Sequence, residues 1–111
     1  MNKYPVYASP AERPVCAALV SAILASNCTI SVHDGEEWCL KRSNNKMTIL
    51  QAMASTGQDT LKARDSEGNV KGVFVLIYNN GNDGEPVGVI ADHSDNTFCS
   101  VIMVVLSDKF G

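Results

Sequence analysis

This chain is short of aromatic residues, histidines and paired cysteines, and each shortage closes a class of protein. Phe, Tyr and Trp make up 6% of the 111 residues, with one Trp, so the core has to be aliphatic. No C-x-x-C pair occurs. Cys16, Cys28, Cys39 and Cys99 are separated by 11, 10 and 59 residues, which matches no common zinc spacing, and they read as free thiols. No apolar segment of the signal-peptide kind follows the N-terminal lysine, so the expectation is a cytoplasmic chain without disulfides. No apolar run exceeds the six residues of 101–106, far below the roughly 20 residues a membrane span needs. An excess of basic residues is also missing. The net charge is −3, and Lys41, Arg42 and Lys46 are the only local concentration. They read as a solvated strand end and helix start rather than a phosphate site, which argues against direct nucleic-acid binding.

What is present is a single domain with 45% apolar and 19% charged residues, enough to bury a core of ordinary size. Residues 1–8 show no pattern and are expected to form an extended tail. Ser9, Pro10 and Glu12 fit a capping box for a first helix, complicated by Pro14. Val15, Leu19, Ala22, Ile23 and Ser26 form its stripe, and the helix is expected to end near Asn27. Residues 28–33 read as a strand with Ile30 and Val32 on one face. Asp34-Gly35 predicts a two-residue hairpin turn into a return strand over 36–42, with Trp38 and Leu40 sharing a face. Ser43 or Asn44 is expected to cap a second helix with a stripe of Met47, Leu50, Met53 and Ala54, ended by Gly57.

Residues 59–96 then read as an antiparallel meander. Leu61 and Ala63 alternate with Lys62 and Arg64, 66–69 turn the chain, and 70–78 form the most strand-like run, its apolar content suggesting a central strand covered on both faces. Residues 79–86 make a long turn before a last strand over 87–91. Asp95 or Asn96 predicts an N-cap for a closing helix striped by Phe98, Val101, Ile102 and Val105. The expected fold is α+β, order α-β-β-α-β-β-β-(α): an antiparallel sheet of about five strands with two to three helices packed on it.

The blocks DGEEWCLKRS (34–43), STGQDTLKARDSEGN (55–69), VLIYNNGND (75–83) and VIADHSDN (89–96) resemble those of a family of small proteins encoded by phages, prophages and mobile elements. That family has no assigned reaction, so the resemblance implies an accessory protein and transfers no active site.

Three chemical constellations compete with bland readings. Asp92, His93, Ser94 and Asp95 with Cys99 hold the ingredients of a thiol nucleophile and base, or a strand-to-helix junction. His33, Asp34, Asp92 and His93 offer metal-ligand types without metal-ligand spacing. The acidic residues, mostly in turns, could mimic nucleic-acid charge or be simply solvated. The reading favoured is a non-enzymatic binding module with no catalytic residues, metal or cofactor. Its partner would be a host or phage protein. Its contact residues would be Asp34, Glu36, Glu37, Trp38, Tyr78, Asp83, Glu85, Asp92, His93 and Asp95. A homodimer through the apolar C-terminal run is a further expectation. The alternatives are a thiol- or metal-dependent hydrolase centred on His93 and Cys99, and an acidic nucleic-acid mimic.

Overall fold

Helix formation starts with the capping box. In the computed structural model, which describes residues 5, 7–79 and 84–110, the Ser9 amide donates to Glu12 Oε1 at 2.9 Å and the Glu12 amide to Ser9 Oγ at 3.3 Å. Helix α1 then runs Glu12–Ala25. Pro14 falls in the first turn, where a missing N–H costs little. The expected tail is not all tail, since Ala8 is buried in the core and Arg13 Nε holds the Pro5 carbonyl at 3.1 Å.

Strands β1 (Thr29–His33), β2 (Trp38–Ser43), β3 (Gln58–Arg64), β4 (Val70–Ile77) and β5 (Ile90–His93) form one antiparallel sheet in the order β2-β1-β3-β4-β5. Helix α2 (Lys46–Ala52) separates β2 from β3, and α3 (Thr97–Phe110) closes the chain. This is the α+β architecture and order that the sequence pattern predicts.

All three helices pack on one side of the sheet, against Ile30, Val32, Leu61, Ala63, Phe74 and Leu76, each fully buried. Strand β4 is therefore covered on one face, not two. Gly72, Phe74 and Leu76 point to the helices, while Val73, Val75 and Ile77 are half-buried on the other face, which no helix covers.

Several boundaries differ from the sequence reading. The β1–β2 connection is a four-residue loop, residues 34–37, because His33 pairs with Trp38 and not with Glu36, as a two-residue turn would require. Asp34 closes it: its Oδ1 accepts the amides of Glu36 and Glu37 at 2.8 and 2.9 Å. Asn45, not Ser43 or Asn44, caps α2, accepting the Thr48 amide at 3.0 Å. That helix ends at Ala52, well before Gly57, and Met47 is exposed rather than in the stripe. The last strand is shorter than expected, because Pro86–Val89 forms a 3₁₀ turn. Helix α3 is capped by Asn96, whose Oδ1 accepts the Cys99 amide at 2.9 Å. Its buried residues are Cys99, Ile102 and Leu106, whereas Val101 and Val105 from the predicted stripe are exposed, with Val104 beside them.

Candidate functional site: a basic recess on the uncovered sheet face

Alternation along β1 and β3 places Ser31, His33, Thr60, Lys62 and Arg64 opposite the core residues, on the uncovered face. Strand β2 joins them through two irregularities. Between the pairs Ile30↔Ser43 and Val32↔Leu40, β2 contains one residue more than β1. This bulge sets both Lys41 and Arg42 against Ser31, and a bulge re-aims side chains in this way. Arg42 takes up the extra residue with φ +49°, in the left-handed region, and its amide donates to the buried Ser31 Oγ at 2.9 Å.

A second extra residue, Cys39, lies between Leu40 and Trp38. It cancels the alternation that would have put Trp38 beside Leu40. Leu40 pairs with the buried Val32, while Trp38 pairs with His33 on the uncovered face, its ring 4.9 Å from the imidazole at 81°. Trp38 is 38% exposed, so it is a surface residue and not a core anchor. Lys62 Nζ stands 5.1 Å from the indole centroid, within cation–π range.

Ser31, Trp38, Lys41, Arg42, Lys62 and Arg64 line an open recess of about 300 Å³. Arg42 and Arg64 converge on the β3–β4 turn. Arg64 Nη1 donates to the Gly68 carbonyl at 3.1 Å, and Arg42 Nη1 lies 3.8 Å from where a Cβ on Gly68 would stand. Among the described residues no salt bridge reaches any of the four cations. The neighbouring Asp65 spends its carboxylate on the turn, accepting the Glu67 and Asn69 amides at 2.9 Å. The Asn69 amide chiefly holds it below the usual carboxylate range. Taking these four bases away leaves five against twelve acids elsewhere in the chain. An acidic protein thus gathers positive charge in one place. The sequence showed only the Lys41–Arg42 step of this cluster; Lys46 belongs to a groove between α1 and α3. Lys62 and Arg64 arrive through strand pairing, and the bulges left no sequence signal.

The residues singled out from the sequence are dispersed. Asp34, Glu36 and Glu37 occupy the β1–β2 loop, and Glu85 is exposed at the same end of the sheet, before β5. Asp34 is held below the ordinary carboxylate range by the Glu37 amide first and the Glu36 amide second. Asp83 lies outside the described residues. Asp92 and Asp95 are exposed on and beyond the β5 edge. Tyr78 does not belong on the surface: it is buried, and its hydroxyl donates to Asp59 Oδ2 at 2.7 Å.

His93 does not meet the other proposed ligands or nucleophile partners in a cleft. It pairs with Phe74 on the covered face, whereas His33 is on the uncovered face three strands away, about 14 Å at the usual strand spacing. Among the described residues no three of His, Cys, Asp and Glu gather as metal ligands. Cys99 is fully buried, and burial pushes its thiol up rather than down, the reverse of what a thiolate nucleophile requires.

One buried polar cluster had no sequence signal beyond its residue types. Asp59 is fully buried at the start of β3, and its Oδ2 accepts the Ala54 amide at 2.6 Å as well as the Tyr78 hydroxyl. Ala54 has φ +57°, so the carboxylate pins a left-handed corner after α2. Oδ1 accepts nothing among the described residues. Glu12, also buried, takes the Asn79 amide at 3.0 Å. These acids fasten loops to the sheet end.

No protein-family model, curated protein or solved structure matches this chain. The lining of the recess offers fixed positive charge, one hydroxyl and one indole.

Proposed function

We propose that this chain is a non-enzymatic binding module that docks the uncovered face of its sheet on a macromolecule presenting clustered negative charge. In keeping with the family that its sequence blocks resemble, it would serve as an accessory protein of a phage or mobile element, with its partner in the host or in the element. One observation carries the reading. Lys41, Arg42, Lys62 and Arg64 share one recess with Trp38, and among the described residues none of the four is held in a salt bridge. Cations brought together outside salt bridges repel one another, and an anionic partner relieves that repulsion. Among the described residues no helix is long and apolar enough to cross a membrane.

Chromatography on immobilised heparin tests this reading. Despite its net charge of −3, the protein is expected to be retained at low salt and released as salt screens the contact. The double variant Arg42→Gly, Lys62→Ala should pass through. Passage of the wild type at low salt, or equal retention of the variant, refutes the reading.

A further inference from the structure

We propose that the occupant of the recess is single-stranded nucleic acid, with phosphates along the cations of β2 and β3 and a base against Trp38. This inference rests on the binding-module reading above and names its ligand.

The recess has the two parts that single strands require, a positively charged track and an aromatic platform. The track runs from Arg42 and Arg64, which converge at Gly68, to Lys62 at the indole. That is more charge, over a greater length, than one phosphate group uses. At present Lys62 takes the indole face as its counter-charge; a base stacking there would release the ammonium to the adjoining phosphate. Trp38 is held edge-on by His33 at 4.9 Å, so the platform is oriented in advance.

Other polyanions fit less well. A duplex is read by a helix or ribbon inserted into a groove, and this face is an open sheet surface. The acidic remainder of the molecule would also repel a long, stiff array of phosphates. An acidic peptide would most simply add to the free edge of β2, but two bulges break that edge's register, and irregular edges resist strand addition. A short flexible strand follows the track and avoids the acidic surroundings. The net charge of the whole chain argues against nucleic-acid binding in general, yet it averages over a surface that the fold has sorted by sign.

Trp38 is the only tryptophan, so its fluorescence reports the site directly. The full chain is titrated at low salt with thymidylate and uridylate octamers, with thymidine monophosphate, and with polyglutamate. The octamers are expected to quench Trp38 saturably. The slope of log affinity against log salt should correspond to three or four phosphates, at about 0.7 per phosphate for single strands. Arg42→Gly and Lys62→Ala should each weaken binding about tenfold and lower the slope by about 0.7. Arg42→Gly relieves a left-handed arginine, so an unfolding midpoint at or above wild type separates lost binding from lost folding. Three results overturn the inference while leaving the binding module standing: heparin retention without octamer quenching, polyglutamate binding as tightly as the octamers, or the monophosphate matching them. Loss of heparin retention as well removes both.

Discussion

Asp59 shows how much one side chain can fix and what it costs. Its carboxyl group is fully buried between the end of α2 and the end of β4, and burial is the main reason it holds its proton more tightly than an exposed Asp. The folded pKa lies above the unfolded value of about 3.9. Asp59 therefore contributes its full stability below that value and loses it as pH rises through the raised folded pKa. Asp59→Asn removes this titration and keeps an oxygen for the Ala54 amide and Tyr78. The stability of the variant relative to wild type is expected to rise between pH 4 and pH 7, read from urea midpoints at each pH. A pH-independent difference would contradict the assignment. Arg42 makes the opposite case, a residue in a conformation that suits glycine. Arg42→Gly is expected to raise stability by up to about 1 kcal/mol in the same urea assay, and a clear loss would mean that the arginine side chain supports the fold. Neither position can be recognised from the sequence, where Asp59 is one of twelve acids and Arg42 one of nine bases.

At the scale of elements, the legible features were those set by local chemistry. The Ser9–Glu12 capping box, the alternation Leu61/Ala63 against Lys62/Arg64 and the Asn96 cap all occur, because each depends on residues a few positions apart. The phase of α3 was not legible. Its run TFCSVIMVVL is apolar on nearly every side, so period alone does not choose the buried stripe. Gly72 is part of what chooses it. On β4 this glycine leaves the gap in which Cys99 and Phe98 sit: a Cβ there would overlap Cys99 Sγ and stand 3.0 Å from the Phe98 ring. Gly72→Ala should destabilise by about 1–3 kcal/mol, the usual cost of overpacking, measured by urea unfolding. Adding Cys99→Ala should restore part of that loss, because the sulfur overlap disappears while the ring contact remains. Simple additivity of the two substitutions would place the source of strain elsewhere. The β2 bulges were illegible for a related reason. An extra residue shows only against a partner strand, and the face of Trp38 depends on it.

For the whole molecule, the four cysteines provide an internal gauge of cooperativity. Cys39 is exposed, whereas Cys16, Cys28 and Cys99 are buried. Burial, with the nearby Glu12 second, pushes the Cys16 thiol up to about 12. One thiol is expected to react quickly with an exposed-thiol reagent in the native protein, and three only as fast as the structure opens. The slow phases should quicken together with added urea. Fast labelling of Cys99 would contradict both its burial and the way Gly72 seats α3.

The sequence by itself determined the α+β class, the order of elements and the residues facing the core on β1 and β3. Caps, turns and alternation are local, and each is written within a short window. Tertiary structure alone decided that β1 pairs with β3 to join the hairpin to the meander, that the helices all cover one face, and that Lys41 and Arg42 meet Lys62 and Arg64 beside Trp38. Those cations come from strands separated by a helix and are gathered by backbone pairing and two bulges. Pairing register is a relation between distant segments, so no window of the chain contains it.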